Sequence, residues 1–109
     1  SDILIYRLVY NLVENAIKYN FSGGTVTVNA TQQNSQLHLT VEDTGNGIPE
    51  ELKERIFEPF FRLDKSRSRE LGGVGLGLAL VREIVRVHNG SILVKNNANS
   101  GTTFEVIFP

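Results

Sequence analysis

Cysteine is absent from the 109-residue chain. That excludes a disulfide framework, a thiolate zinc site and a cysteine nucleophile, and it suits a reducing compartment. Neither sign of charge dominates: 11 basic against 12 acidic side chains leave a net charge of -1 and a pI near 6.1, so no global positive field draws the chain to nucleic acid or anionic lipid. Long apolar runs are missing as well. Hydrophobic residues at 40% and charged residues at 21% exclude a disordered tail, a collagenous repeat and a bilayer span. No basic, apolar, small-residue signal opens the chain, and no repeat period is detectable. What remains is one soluble folding unit near the lower end of domain size.

Apolar residues at Leu4, Ile5, Leu8, Val9, Leu12, Val13, Ala16 and Ile17 recur at helical spacing and predict a helix from about Ile3 to Lys18. Asn20, Gly23 and Gly24 stop it. Two alternating stretches follow, Thr25 to Ala30 and Leu37 to Asp43, separated by the polar Thr31 to Gln36; they predict a β-hairpin with one buried face. From Thr44 to Gly75 the pattern breaks down, apart from a short helix expected between Glu50 and Phe57. A connection of that length is usually functional or mobile. A second helix is predicted from about Leu76 to His88, with Leu76, Leu80, Ile84 and Val87 on its apolar stripe and Asn89-Gly90 as its left-handed stop. A second hairpin, Ser91 to Asn96 and Thr102 to Phe108, ends the chain. This order of elements predicts a two-layer α/β sandwich.

Asn11, Asn15 and Lys18 fall in one sector of the first helix, at the border of its apolar stripe. Two amides and an ammonium suit magnesium bound with a nucleotide, although the same three residues taken alone fit a solvated edge. Strand parity says more about Asp43, which continues the inward side of Leu37, Leu39 and Val41. An unpaired carboxylate there is costly. Either Asp43 lies at a pocket mouth and accepts from a donor such as a purine's exocyclic amine, or it starts the turn for which Asp-Thr-Gly is suited.

Six of the ten glycines sit in two clusters, Gly45 with Gly47, and Gly72, Gly73 and Gly75 with Gly77. The second runs into a helix amino terminus, which makes it a phosphate site or, considered alone, a hinge. No Gly-Lys-Ser/Thr is present, so it is no P-loop, and Arg67 to Leu71 replaces the strand that a dinucleotide fingerprint needs. Between Arg62 and Glu70, Arg62, Lys65, Arg67 and Arg69 outnumber Asp64 and Glu70. Flanked by Phe57, Phe60 and Phe61, this basic stretch reads as a lid closing over an anion or as a solvated loop.

Asn11-Leu-Val-Glu-Asn-Ala-Ile-Lys-Tyr19, Asp43-Thr-Gly-Asn-Gly-Ile-Pro49, Phe57-Glu-Pro-Phe-Phe-Arg62 and Gly73-Val-Gly-Leu-Gly-Leu78 resemble the N, G1, F and G2 boxes of sensor histidine kinases. With Gly101-Thr-Thr-Phe104, the resemblance covers nearly the whole chain, residues 1–109, and is to the catalytic, ATP-binding domain. That domain has the Bergerat fold shared with gyrase, Hsp90 and MutL ATPases, which implies helices on one face of a mixed sheet and a glycine-rich ATP lid. The resemblance implies Asn11, Asn15 and Lys18 as the catalytic set: Asn15 ligates magnesium, while Asn11 and Lys18 lie at the phosphates. Tyr19 flanks the nucleotide and Asp43 reads the adenine amino group. Gly45, Gly47 and Ile48 belong to the adenine pocket. Gly73, Gly75, Leu76 and Gly77 form the hinge and phosphate end of the lid, where Arg62 and Arg67 are candidate phosphate contacts. Thr102, inward like Phe104, Val106 and Phe108, supports the adenine site.

The family's kinase core also carries a dimerisation helix pair with a phosphoacceptor histidine followed by an acidic residue, a box that neither His38-Leu-Thr nor His88-Asn-Gly resembles. The acceptor is therefore expected on a separate dimerisation domain of the same parent, with a response regulator downstream and no nucleic-acid partner. The parent is expected to be dimeric and membrane-anchored, with this domain cytoplasmic. His38 and His88 read as surface and capping residues. The family domain usually begins with a further helix and strand before Asp2, so the chain reads as trimmed there, with an exposed sheet edge. Three alternatives stay open: a serine kinase of the anti-sigma type, a conformational ATPase, and a nucleotide-binding module without transfer activity. The second is disfavoured because those ATPases place a glutamate where this chain has Asn11.

Overall fold

The computed structural model describes residues 2–61 and 76–109. The first helix, α1 (Asp2–Lys18), buries Leu8, Leu12 and Ala16, one residue per turn on one face. Asp2 in its first turn and Lys18 in its last complement the helix dipole. The chain leaves α1 through Asn20, which does more than stop a helix: its side chain is 9% exposed. Asn20 Nδ2 donates to the Thr25 carbonyl at 2.8 Å, and Oδ1 accepts from the Phe21 N–H and the Thr44 hydroxyl. One amide thus ties the end of α1 to both strands that follow.

Those strands are β1 (Val26–Gln33) and β2 (Gln36–Asp43). The polar stretch read as a connection is mostly strand, and the turn is only Asn34-Ser35, with φ of 52° and 67°. Positive φ at both central residues matches the right-handed twist of a two-residue hairpin. After two single 3-10 turns, Glu50–Leu52 and Arg55–Phe57, which replace the expected short helix, come α2 (Gly77–Val87), β3 (Ser91–Asn96) and β4 (Thr102–Phe108). The sheet order is β1-β2-β4-β3, and every described pairing is antiparallel. The mixed sheet is corrected accordingly: both hairpins reverse the chain through short connections, and β2 meets β4 head to tail.

Helices cover one face of this sheet. β4, one of its two central strands, alternates strictly, with Thr102, Phe104, Val106 and Phe108 buried. Against them pack Leu39 and Val41 of β2, Val94 of β3, and the α1 face. The α2 stripe differs from the one expected: Val81, Ile84 and Val85 are buried, whereas Leu76, Leu80 and Val87 are exposed. Both stripes have helical spacing, and the sheet takes the β-branched one. The buried face expected of the first hairpin holds for β2 but not for β1, where Val28 is 45% exposed, because α1 lies over β2 and α2 rather than over the edge.

Phe104 is the largest side chain with almost no exposure, and Phe57 meets its ring edge-on at 6.3 Å. Phe57 thereby belongs to the core rather than to a lid. Truncating a buried phenylalanine costs about 3–5 kcal/mol, so Phe104→Ala is expected to lower unfolding stability in urea by that amount. A loss under about 1 kcal/mol would show that the centre of the sheet is not where the two layers are held.

Candidate functional site

β2 ends on Asp43, whose side chain is 6% exposed. Its Oδ1 accepts from the Gly45 N–H at 2.9 Å and from the Thr102 N–H at 3.2 Å. Oδ2 accepts from no described residue, and since no buried side-chain polar atom is left without a partner, it is the oxygen left accessible. Burial pushes the Asp43 carboxyl above the ordinary aspartate range, with the Gly45 and Thr102 N–H groups pulling the other way and Glu42 adding to the rise. Oδ1 organises the turn, and the Asp43 side chain also lines a cavity.

That cavity encloses about 210 Å³, several times the ~30 Å³ share of one water molecule. Asn15 and Tyr19 form one side, and Asp43, Thr102 and Phe104 the floor. The loop after β2 supplies the remaining wall through Asn46, Gly47, Ile48 and Pro49, together with Leu52. Of the residues singled out from sequence, Asn15, Tyr19, Asp43, Gly47, Ile48 and Thr102 therefore converge. Asn11, Lys18, Gly45, Leu76 and Gly77 do not line the cavity. Arg62, Arg67, Gly73 and Gly75 lie outside the described residues, as does most of the lid.

Gly45 serves a close approach: a Cβ there would stand 2.4 Å from the Tyr19 carbonyl oxygen. Gly101 serves a tighter one, with φ of 99° and an ideal Cβ 1.9 Å from the Asp43 carbonyl oxygen. At the other end of the site, Gly77 opens α2 beside α1, where an added Cβ would sit 3.0 Å from Asn11 Oδ1. Asn11 Nδ2 is already committed to the Arg7 carbonyl at 2.8 Å. The start of α2 and the Asn11 side-chain oxygen thus lie together.

Sequence reasoning missed the supports. Asn97 Nδ2 donates to the Asp43 carbonyl at 3.1 Å, the Ser100 hydroxyl donates to the Gly45 carbonyl, and Thr103 Oγ1 donates to Asn97 Oδ1 at 2.6 Å. The connection Asn97 to Gly101 reads only as a hairpin loop; its one signal is the short amides Asn97 and Asn99.

The family model described as "Histidine kinase-, DNA gyrase B-, and HSP90-like ATPase" matches residues 1–109. The chain belongs to that family. It is 43% identical over 109 residues to the sensor histidine kinase RppB of Synechocystis sp., covering all of this chain and 24% of RppB. Its fold superposes on a mycobacterial sensor histidine kinase, MprB, with a TM-score of 0.86 at 32% identity, covering 100% of this chain and 72% of the other. Full-length ShkA, solved in complex with AMPPNP, gives 0.81 at 27% identity, covering 97% and 21%. The Bergerat fold and the histidine kinase resemblance are borne out, and the chain spans about a quarter of the length of RppB.

For this ATPase-family domain, a hard cation carried with a nucleotide needs only one or two protein oxygens beside phosphates and waters. Asn15 fits: it lines the cavity, is half-buried, and its amide bonds to no described residue.

The raised carboxyl fixes the sign of a pH effect. Between ~3.9, where an unfolded aspartate titrates, and its higher folded value, Asp43 holds more proton in the folded state, so stability falls as pH rises through that window. Asp43→Asn keeps an acceptor for Gly45 and Thr102 without the charge. It is expected to gain stability relative to wild type as the pH rises above ~4 toward the folded Asp43 titration. Parallel pH profiles for the two proteins in thermal unfolding would reject the assignment of that penalty to Asp43.

Proposed function

We propose that the chain is the ATP-binding catalytic domain of a sensor histidine kinase, and that it presents the γ-phosphoryl group of ATP to a neutral histidine nitrogen on a separate dimerisation domain of the same parent. The observation that carries this reading is the Asp43 carboxylate: one oxygen is fixed by two backbone N–H groups, the other accepts from no described residue, and the side chain lines a cavity together with Ile48 and Phe104. An acceptor-only group in an apolar slot suits the amino group of adenine.

Asp43 orients the base, Ile48 and Phe104 exclude water from its faces, and Tyr19 closes the side next to α1. Asn15 lines the cavity and Asn11 meets the start of α2, and Lys18, in the same helical sector by spacing, joins them at the phosphate end on this reading. A magnesium ion at Asn15 would neutralise charge on the phosphates as it accumulates. In the transfer, the bond from the γ-phosphorus to its bridging oxygen breaks while the nitrogen–phosphorus bond forms, and ADP leaves. Positioning and electrostatics supply most of the rate in such a reaction. Arg62, Arg67, Gly73 and Gly75 enter this proposal on the F and G2 motifs alone.

Nothing favours water as the acceptor. Asn11 is an amide with its nitrogen bonded to Arg7, and an amide cannot serve as a general base, a role typically worth about 10²–10⁴ in rate. The parent would be a dimer signalling through a response regulator, with this domain on the cytoplasmic side of a membrane anchor. No described helix is itself long and apolar enough to cross a membrane.

The chain alone is expected to bind ATP in preference to GTP by titration calorimetry, and Asp43→Ala to weaken ATP binding at least about tenfold, the scale of a lost bond to a charged group. Binding that ignores the base would sink the adenine assignment. With the histidine-bearing domain of its parent supplied in trans, an acid-labile phosphorylated product is expected, and Asn15→Ala should remove it. Rapid phosphate release by the chain alone, lost in Asn15→Ala, would instead make it a hydrolase.

A further inference from the structure

Ile48 is buried, with 5% of its surface exposed, and forms the apolar wall of the cavity. Its backbone is held by one side chain 48 residues away. The Ile48 N–H donates to Asn96 Oδ1 at 2.8 Å, and Asn96 Nδ2 donates to the Ile48 carbonyl, also at 2.8 Å. A primary amide presents an acceptor and a donor side by side, so Asn96 pairs with Ile48 as a strand neighbour would. Nothing stands between them. The adjoining Gly47 has φ of 81°, and a Cβ on it would come 2.9 Å from Asn96 Oδ1.

The opposite side of the cavity is tied to the same residue. Asn96 is the last residue of β3 and faces Thr102 in the β3–β4 register. Thr102 lies in the floor and donates its N–H to Asp43 Oδ1. One ladder rung therefore joins the Ile48 wall to the Asp43 floor, and the distance between them is set where the Asn96 amide grips the loop.

We propose that Asn96 is a positioning residue for the nucleotide base: through its two-point grip on Ile48 it holds the apolar wall at the separation from Asp43 that a flat purine fills. This rests on the nucleotide reading above. Asn96 need not touch the ligand, and its effect falls on the base rather than on the phosphates. An ionised aspartate at this position offers the acceptor but sets a negative oxygen against the Ile48 carbonyl. A protonated one restores the pair, its carbonyl oxygen accepting from the Ile48 N–H and its hydroxyl donating to the Ile48 carbonyl.

The test is titration calorimetry of the 109-residue chain with AMPPNP, ADP and adenosine, each variant measured well below its own melting temperature. Asn96→Ala is expected to weaken all three ligands by the same factor, about tenfold for two lost hydrogen bonds. Asn96→Asp should match that loss at neutral pH, and its affinity relative to wild type should recover as the pH falls toward the carboxylate range. Taking the ratio to wild type removes the titration of Asp43 itself. Unchanged binding in Asn96→Ala, or a loss confined to AMPPNP and ADP, overturns the proposal. If Asn96→Ala does not fold, the Asn96→Asp ratio decides, and a ratio flat with pH overturns it. A wild-type chain that binds none of the three ligands would instead overturn the nucleotide reading on which the proposal stands.

Discussion

A carboxylate at the end of an apolar strand face constrains everything packed around it, and among the described residues Asp43 Oδ1 is held by backbone alone. The Thr102 N–H reaches it only if β4 starts alongside the end of β2, which fixes the register that places Phe104 against Val41. The Gly45 N–H reaches it only if the chain turns at once, which drives residue 45 against the Tyr19 carbonyl. The return of the β3–β4 hairpin must then pass over the Asp43 carbonyl so closely that residue 101 cannot carry a side chain. Gly45, which in sequence looks like a ligand-binding glycine, and Gly101 are thus both required by how the protein packs around one carboxylate, before any ligand enters.

The legibility of the chain follows the same physics. β2 and β4 are half-buried strands whose parity is enforced by the core, so Asp43 and Thr102 could be assigned inward from alternation alone. β1 has no such enforcement: it is exposed along nearly its whole length, and its last three residues, Thr31, Gln32 and Gln33, carry no apolar signal. Only backbone pairing with Gln36, Leu37 and His38 makes them strand. On α2, apolar residues occupy both flanks of the helix, so periodicity gave the element but not the face. Asn20 and Asn96 were invisible for another reason. Asn20 bonds the Phe21 N–H, the Thr25 carbonyl and the Thr44 hydroxyl, and Asn96, at the end of β3, bonds the Ile48 backbone 48 residues away; an asparagine carries no local mark of which groups it will meet.

The base end and the phosphate end of the proposed site are built differently. Asp43, Thr102 and Phe104 belong to the sheet, and the Ile48 wall is bonded to it, so the geometry of the base end is set by strand register. The phosphate end depends on two helices meeting, with Gly77 at the start of α2 against Asn11. A helix terminus attracts an anion by typically 0.3–1 kcal/mol when exposed. That is too little to define a site by itself, so the phosphate end gains its grip once the base has already located the nucleotide.

This order of events bears on selectivity. Burial raises the energy of the ionised Asp43 carboxylate in the empty domain, and a donor arriving at Oδ2 removes part of that penalty. A guanine would bring a carbonyl to the same place, setting acceptor against acceptor, where neither can be satisfied. Such unpaired polar groups discriminate far more strongly than a difference in shape. On the proposed reading, then, the strain of holding a charged group partly desolvated at the cavity is what makes the site selective. Relieving that strain with a neutral side chain would stabilise the fold while removing the basis for choosing adenine.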